Sequence, residues 1–155
     1  MLKITFLEFF FRGIPESFLF IFATYTFSKI AINKKPYVLS SVLLAIIIYT
    51  SRCLPINYGI HTVFAFVALV ILNVLINKIE VFKAIQLGVF TIVLQFICEG
   101  INILIILYVF GLKMDDALSN NVSKLLYTIP SIIIFATIVF TYYYILLKRK
   151  KLRVI

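Results

Sequence analysis

The sequence predicts an all-α, polytopic membrane bundle of about five transmembrane helices, with a kinked or interfacial N-terminal segment. Three observations carry that expectation. The 155 residues are 63% hydrophobic and only 14% charged, against roughly a quarter charged in soluble domains. Mean hydropathy is +1.13. Five apolar runs alternate with short loops that hold most of the charge.

The first run begins near Pro15 and ends at Ile32. Proline is tolerated in a first helical turn, where its missing N–H removes no bond. Before it, Leu2 to Phe11 reads as an interfacial helix or as the outer part of a span kinked around Gly13 and Pro15. The second run extends from Tyr37 to Ser51 and the third from Tyr58 to Ile76. The fourth, Ala84 to Leu112, has 29 residues and one charge, Glu99. It exceeds the roughly 20 apolar residues that cross a bilayer, so it tilts or projects. The fifth runs from Leu125 to Leu147 and contains Pro130. Residues 1–147 thus form one transmembrane domain, and 148–155 a basic tail.

The net charge of +9 is not spread as a nucleic-acid surface would be. Five of the fifteen basic residues, Lys148, Arg149, Lys150, Lys151 and Arg153, fall in the last eight positions. A basic cluster beside a span is drawn to anionic headgroups at about 1 kcal/mol per charge. Membrane lipid is therefore the expected partner of the tail, and nucleic acid is not expected. With the tail inside, the inner side holds ten Lys and Arg (Lys29, Lys34, Lys35, Lys78, Lys83 and the five of the tail) and the outer side five (Lys3, Arg12, Arg52, Lys113, Lys124). The positive-inside rule then gives a cytoplasmic C-terminus. No cleaved signal peptide is evident. The richness in Ile, Lys, Asn, Phe and Tyr is that of an AT-rich bacterial genome, so the expected location is a bacterial cell membrane.

Glu99 is the leading functional candidate. A carboxylate within a span costs on the order of 2.5–3.5 kcal/mol at the bilayer centre and marks a functional position by default. Gly88, Thr91, Gln95, Glu99 and Asn102 recur at spacings of 3, 4, 4 and 3, which is one helix face. Such a stripe is either a helix-packing seam or the wall of a ligand or ion pocket. Both readings stay open. Glu16, Arg52, Asn57 and His61 fall toward the outer side, so the expected site is an outward-facing polar cleft of Glu16, Arg52, Asn57, His61, Gln95, Glu99 and Asn102. Arg52 is the first choice of partner for Glu99, with Glu16 competing for it. Glu8, Arg12 and Glu16 are spaced i, i+4, i+8 and align if that helix is continuous.

Each candidate also has a plainer role. Arg52 can snorkel to headgroups, His61 can sit in the interface, and Glu16 can favour a helix start through its dipole. Asn57-Tyr58-Gly59 reads as a turn. Cys53 and Cys98 read as small apolar residues. Metal-ligand spacings, cofactor motifs and catalytic constellations are absent: there is one histidine, and Asp115 and Asp116 are adjacent. No enzyme activity, cofactor or metal is expected.

The stretches Phe11-Arg12-Gly13-Ile14-Pro15-Glu16-Ser17, Arg52-Cys53-Leu54-Pro55-Ile56-Asn57-Tyr58-Gly59 and Cys98-Glu99-Gly100-Ile101-Asn102, with Pro130-Ser131, resemble the N-terminal membrane region of clostridial sensor histidine kinases. These belong to the broad group similar to accessory-gene-regulator peptide receptors. The resemblance spans most of the chain. It implies a multi-pass input domain that detects an external or membrane signal and passes it on through the last helix. In such kinases a phospho-accepting histidine and an ATP-binding domain follow the membrane region. Here the sequence ends at Ile155, and His61 lies in the membrane region. The resemblance then implies a stand-alone or truncated sensor-like module without kinase activity. A peptide or small-molecule signal and a membrane protein partner or homodimer are the expected partners. A small transporter or transporter subunit using Glu99 for a proton or cation is the alternative, and a structural membrane partner is the third.

Overall fold

A computed structural model describes residues 9–53, 58–109 and 121–149, with side chains over 9–51, 60–108 and 129–149. Among these residues five α-helices follow one another: α1 (Ile14–Ser28), α2 (Lys34–Cys53), α3 (Tyr58–Leu75), α4 (Val81–Val109) and α5 (Asn121–Lys148). No strand occurs among the described residues. Each helix coincides with one expected apolar run. The N-terminal segment enters α1 as a π-helical turn, Phe9–Gly13. Gly13 keeps helical dihedrals (φ −62°, ψ −44°) and Pro15 lies in the first turn of α1. The helix therefore continues through the Gly-Ile-Pro sequence, with the wider π-helical turn ahead of Pro15 accommodating the backbone bond its ring cannot make.

α1 is the hub and packs against all four other helices. Its residues Phe20 to Thr26 are buried without interruption, as expected for a helix enclosed on every side. Rings line its neighbours: Phe20 meets Phe135 and Phe22 meets Phe140 and Tyr143 on α5, with centroids 4.8–6.0 Å apart. Phe27 stacks edge-on with Phe90 of α4 at 4.7 Å. On the α2 side Tyr37 packs against Phe18 and Tyr25. α3 approaches α4 at Gly88, where a Cβ would come within 2.9 Å of Phe66. The Gly88 end of the polar stripe is thus a packing seam.

α1 and α3 end in the same way. Lys29 has φ 58° and its N–H reaches Thr26 O at 3.1 Å, while Ile30 N–H reaches Tyr25 O at 3.1 Å, which is a Schellman cap. Lys78 has φ 54°, and Ile79 N–H returns to Asn73 O at 3.0 Å. A side chain in this left-handed region costs roughly 1–2 kcal/mol.

Among the described residues two helices, over Val81–Tyr108 and Ile129–Lys148, are long and apolar enough to cross a membrane, where five such spans were expected. The other three fall short for identifiable reasons. α1 has 15 residues, and the side chains of α3 are described only over the apolar stretch Ile60–Leu75. α2 has 20 but begins Lys-Lys-Pro and carries Ser40, Ser41, Thr50 and Ser51. The two long helices are not soluble-type core helices, since only 22% and 28% of their apolar windows are buried. Large apolar side chains face outward along α2 to α5, among them Val42, Phe64, Phe82, Phe96, Leu104 and Phe140. Polar side chains are instead drawn inside: Ser17, Thr24, Thr26, Ser40, Ser41, Asn73 and Thr91 are fully enclosed.

Candidate functional site

Two polar clusters lie along α1, one near each end. The cluster near its N-terminal end is charged. Arg12, on the π turn, places Nη2 3.1 Å from Oε1 of Glu99 on α4. Gln95, one turn earlier on α4, donates Nε2–H to the same Oε1 at 3.2 Å. Arg12 Nε lies 3.8 Å from Glu16 Oε2, close enough for attraction but too long for a hydrogen bond. One guanidinium is thus divided between two carboxylates. Glu16 is 6% exposed, whereas the side chains of Arg12 and Glu99 are 19% and 32% exposed. Beneath the cluster Ser17 returns its hydroxyl to Gly13 O at 2.7 Å.

The expected stripe on α4 exists. Thr91, Gln95, Cys98 and Asn102 are buried on one face, and Glu99 sits at its margin. Glu16, Gln95 and Glu99 do come together, with Asn102 buried on the same face. Among the described residues the guanidinium at Glu99 is that of Arg12. Sequence reasoning began the first helix at Pro15, which left Arg12 in a flank. The continuous turn from Phe9 sets it one turn ahead of Glu16, facing α4. The i, i+4 spacing of Arg12 and Glu16 was the available signal. The Arg52 side chain and the whole of Asn57 lie outside the described residues. His61 is half-buried in the first turn of α3, and its Nδ1 has no hydrogen bond among the described residues.

A cavity of about 230 Å³ opens elsewhere, between α2 and α3, and is lined by Ile47, Phe64, Val67, Ala68, Ile71 and Leu72. It is apolar and none of the charged residues reaches it. No group of three or more His, Cys, Asp or Glu that could hold a metal occurs among the described residues.

The second cluster is neutral and was not foreseen. Asn73 Oδ1 accepts from Thr24 Oγ1 at 3.1 Å and from Asn77 Nδ2 at 2.9 Å. Asn77 Oδ1 accepts from the Tyr25 hydroxyl at 2.8 Å and from Ser40 at 3.3 Å. Beside it Lys83 Nζ donates to Ser28 O at 3.2 Å, tying the start of α4 to the end of α1. Asn73 and Asn77 are i, i+4 at the end of an apolar run, a spacing that marks one face. The network joins α1, α2 and α3 and contains no ionisable carboxylate, so its chemistry is that of a fastening. The charged cluster is the candidate site, because only charge within a span demands a partner at this cost.

Compared with known proteins, the chain matches no family model, no curated protein and no solved structure. The sensor-kinase likeness therefore rests on the short motifs alone.

Proposed function

We propose that the chain is a multi-pass membrane protein that acts as a signal-sensing or partner-binding module, with the Arg12–Glu99 pair as the contact its ligand or partner disturbs. The inverted surface supports the membrane setting. Apolar side chains exposed along four helices and hydrogen-bonded polar groups inside are what lipid requires and water penalises. Lys29, Lys78, Lys83 and Lys148 gather at one end of the bundle, in keeping with a cytoplasmic face and a cytoplasmic tail.

Depth follows from α4. If Lys83 marks the inner boundary, Glu99 lies sixteen residues on, or about 24 Å. In a hydrocarbon core about 30 Å thick that is near the outer boundary, not the centre. The cost of the charge is reduced there, and an external ligand can reach it.

The observation that carries the proposal is the Arg12–Glu99 pair itself, which joins two elements 87 residues apart in sequence. α4 and α5 pack on each other and on α1. A ligand that binds Glu99 or Arg12 better when they are apart shifts the bundle toward the released arrangement. α5 then carries the displacement to the basic tail.

The test is a distance measurement between spin labels at Phe11 and Ile103, both exposed, in protein whose cysteines are replaced by alanine. Wild type should give a narrow distribution and Glu99→Gln a broad one, without proton or cation flux in proteoliposomes. A flux that disappears in Glu99→Gln would establish the transporter reading. Unchanged distances without flux would leave the stripe as packing only.

A further inference from the structure

Glu99 directs its two oxygens differently. Both of its donors, Arg12 Nη2 and Gln95 Nε2, bind Oε1. Oε2 accepts no bond from a described residue, and the side chain is one-third exposed. The next residue, Gly100, is exposed, and a Cβ built there would meet nothing within 4 Å. Gly100 therefore does not serve internal packing as Gly88 does, although glycine costs a helix about 1 kcal/mol relative to alanine. Its neighbours one turn away, Phe96, Ile103 and Leu104, are exposed apolar side chains. A residue without a side chain among these three leaves a gap, the Gly100 notch, in the exposed apolar surface of α4 next to Glu99.

We infer that Glu99 Oε2 and the Gly100 notch form a binding site for a primary ammonium group. The inference rests on the membrane setting proposed above. A single open carboxylate oxygen cannot chelate a metal, which takes several ligands. An N⁺–H donor needs only one oxygen and forms a strong charge-assisted bond. The depth of Glu99 places that oxygen where lipid headgroups meet the acyl chains. Among lipids, phosphatidylethanolamine supplies both the ammonium and a chain for the notch, whereas a quaternary ammonium has no N–H to donate. A soluble amine would supply the same donor without the chain.

The chain contains no tryptophan, so Ile97→Trp, at an exposed position of α4 outside the residues that frame the notch, is a clean reporter in lipid vesicles. Phosphatidylethanolamine with brominated chains should quench it with about tenfold higher relative affinity than brominated phosphatidylcholine, a difference of about 1.4 kcal/mol. Successive N-methylation of the headgroup should erode the preference with Glu99 untouched, and Glu99→Gln should abolish it. Gly100→Leu should weaken quenching by both lipids. If ethanolamine in solution competes fully, the site recognises the amine from either source; if it does not compete, the source is the lipid. Equal quenching by the two headgroups overturns the inference while leaving the Arg12–Glu99 distance test unaffected. Absence of quenching by any brominated lipid would instead defeat the membrane setting.

Discussion

The two polar clusters along α1 solve the same problem in different ways. Near the Asn73 end, neutral amides and hydroxyls from three helices close on one another at 2.8–3.3 Å with no charge to neutralise. Near the Arg12 end, one guanidinium serves two carboxylates and a third of the Glu99 side chain remains open. Neutral hydrogen bonds inside a membrane contribute modestly, averaging about 0.6 kcal/mol, because the alternative states also find partners. A charge stripped of its counter-ion has no such substitute. The neutral cluster is therefore a fastening made of several small contributions, whereas the charged pair parts only when a ligand or partner takes the place of the lost counter-ion.

That contrast is sharpest in the charged pair. Arg12→Ala leaves Glu99 without its cation, and breaking a buried pair costs about 3–5 kcal/mol. Partial exposure of both side chains reduces this to about 2–3 kcal/mol. The double change Arg12→Leu with Glu99→Leu should regain most of the loss, as read by thermal unfolding in detergent followed by circular dichroism. A double variant that loses the sum of the two single losses would show that the pair has no coupling energy.

The two glycines of α4 offer the next largest effect. Gly88→Ala forces Phe66 aside from 2.9 Å and should destabilise by about 1–3 kcal/mol. Gly100→Ala meets open space and should be neutral or stabilising by up to about 1 kcal/mol. The same unfolding assay separates them, and a reversal of the order would misplace α3 against α4.

On the neutral side, Asn73→Leu should cost about 1 kcal/mol and leave the spin-label distance at the Arg12 end unchanged. Broadening of that distance would mean that the clusters are coupled and not independent. The smallest change concerns the helix ends. Lys29→Gly or Lys78→Gly relieves a left-handed side chain and should stabilise by about 0.5–1 kcal/mol each.

Much of this was visible in the residues. The five helices follow the apolar runs, since continuous hydrophobicity bounded by lysines leaves few alternatives, and the α4 face is spelled out by its 3–4 spacing. The partner of Glu99 was not legible, because Gly13 and Pro15 look like a break when the chain is read locally. Only the turn ahead of them shows that the helix runs on. Asn73 and Asn77 were legible in spacing but not in purpose. Amides four apart gain meaning only when Thr24, Tyr25 and Ser40 arrive from elsewhere in the chain. Among the described residues two of the five expected runs are long and apolar enough to span, since α1 is short and α2 carries several polar side chains that are buried only against the other helices.

The π turn at Phe9–Gly13 has a consequence for inheritance. It works as a phase setter: each residue in a helix advances the chain by about 100°, so loss of the Gly13 codon would swing Arg12 around the axis and away from Glu99. Glu16, downstream, would keep its place. The pairing of opposite charges at this end is therefore encoded as a count of residues as much as a choice of them, and a one-codon deletion there would act as a charge mutation without altering any charge.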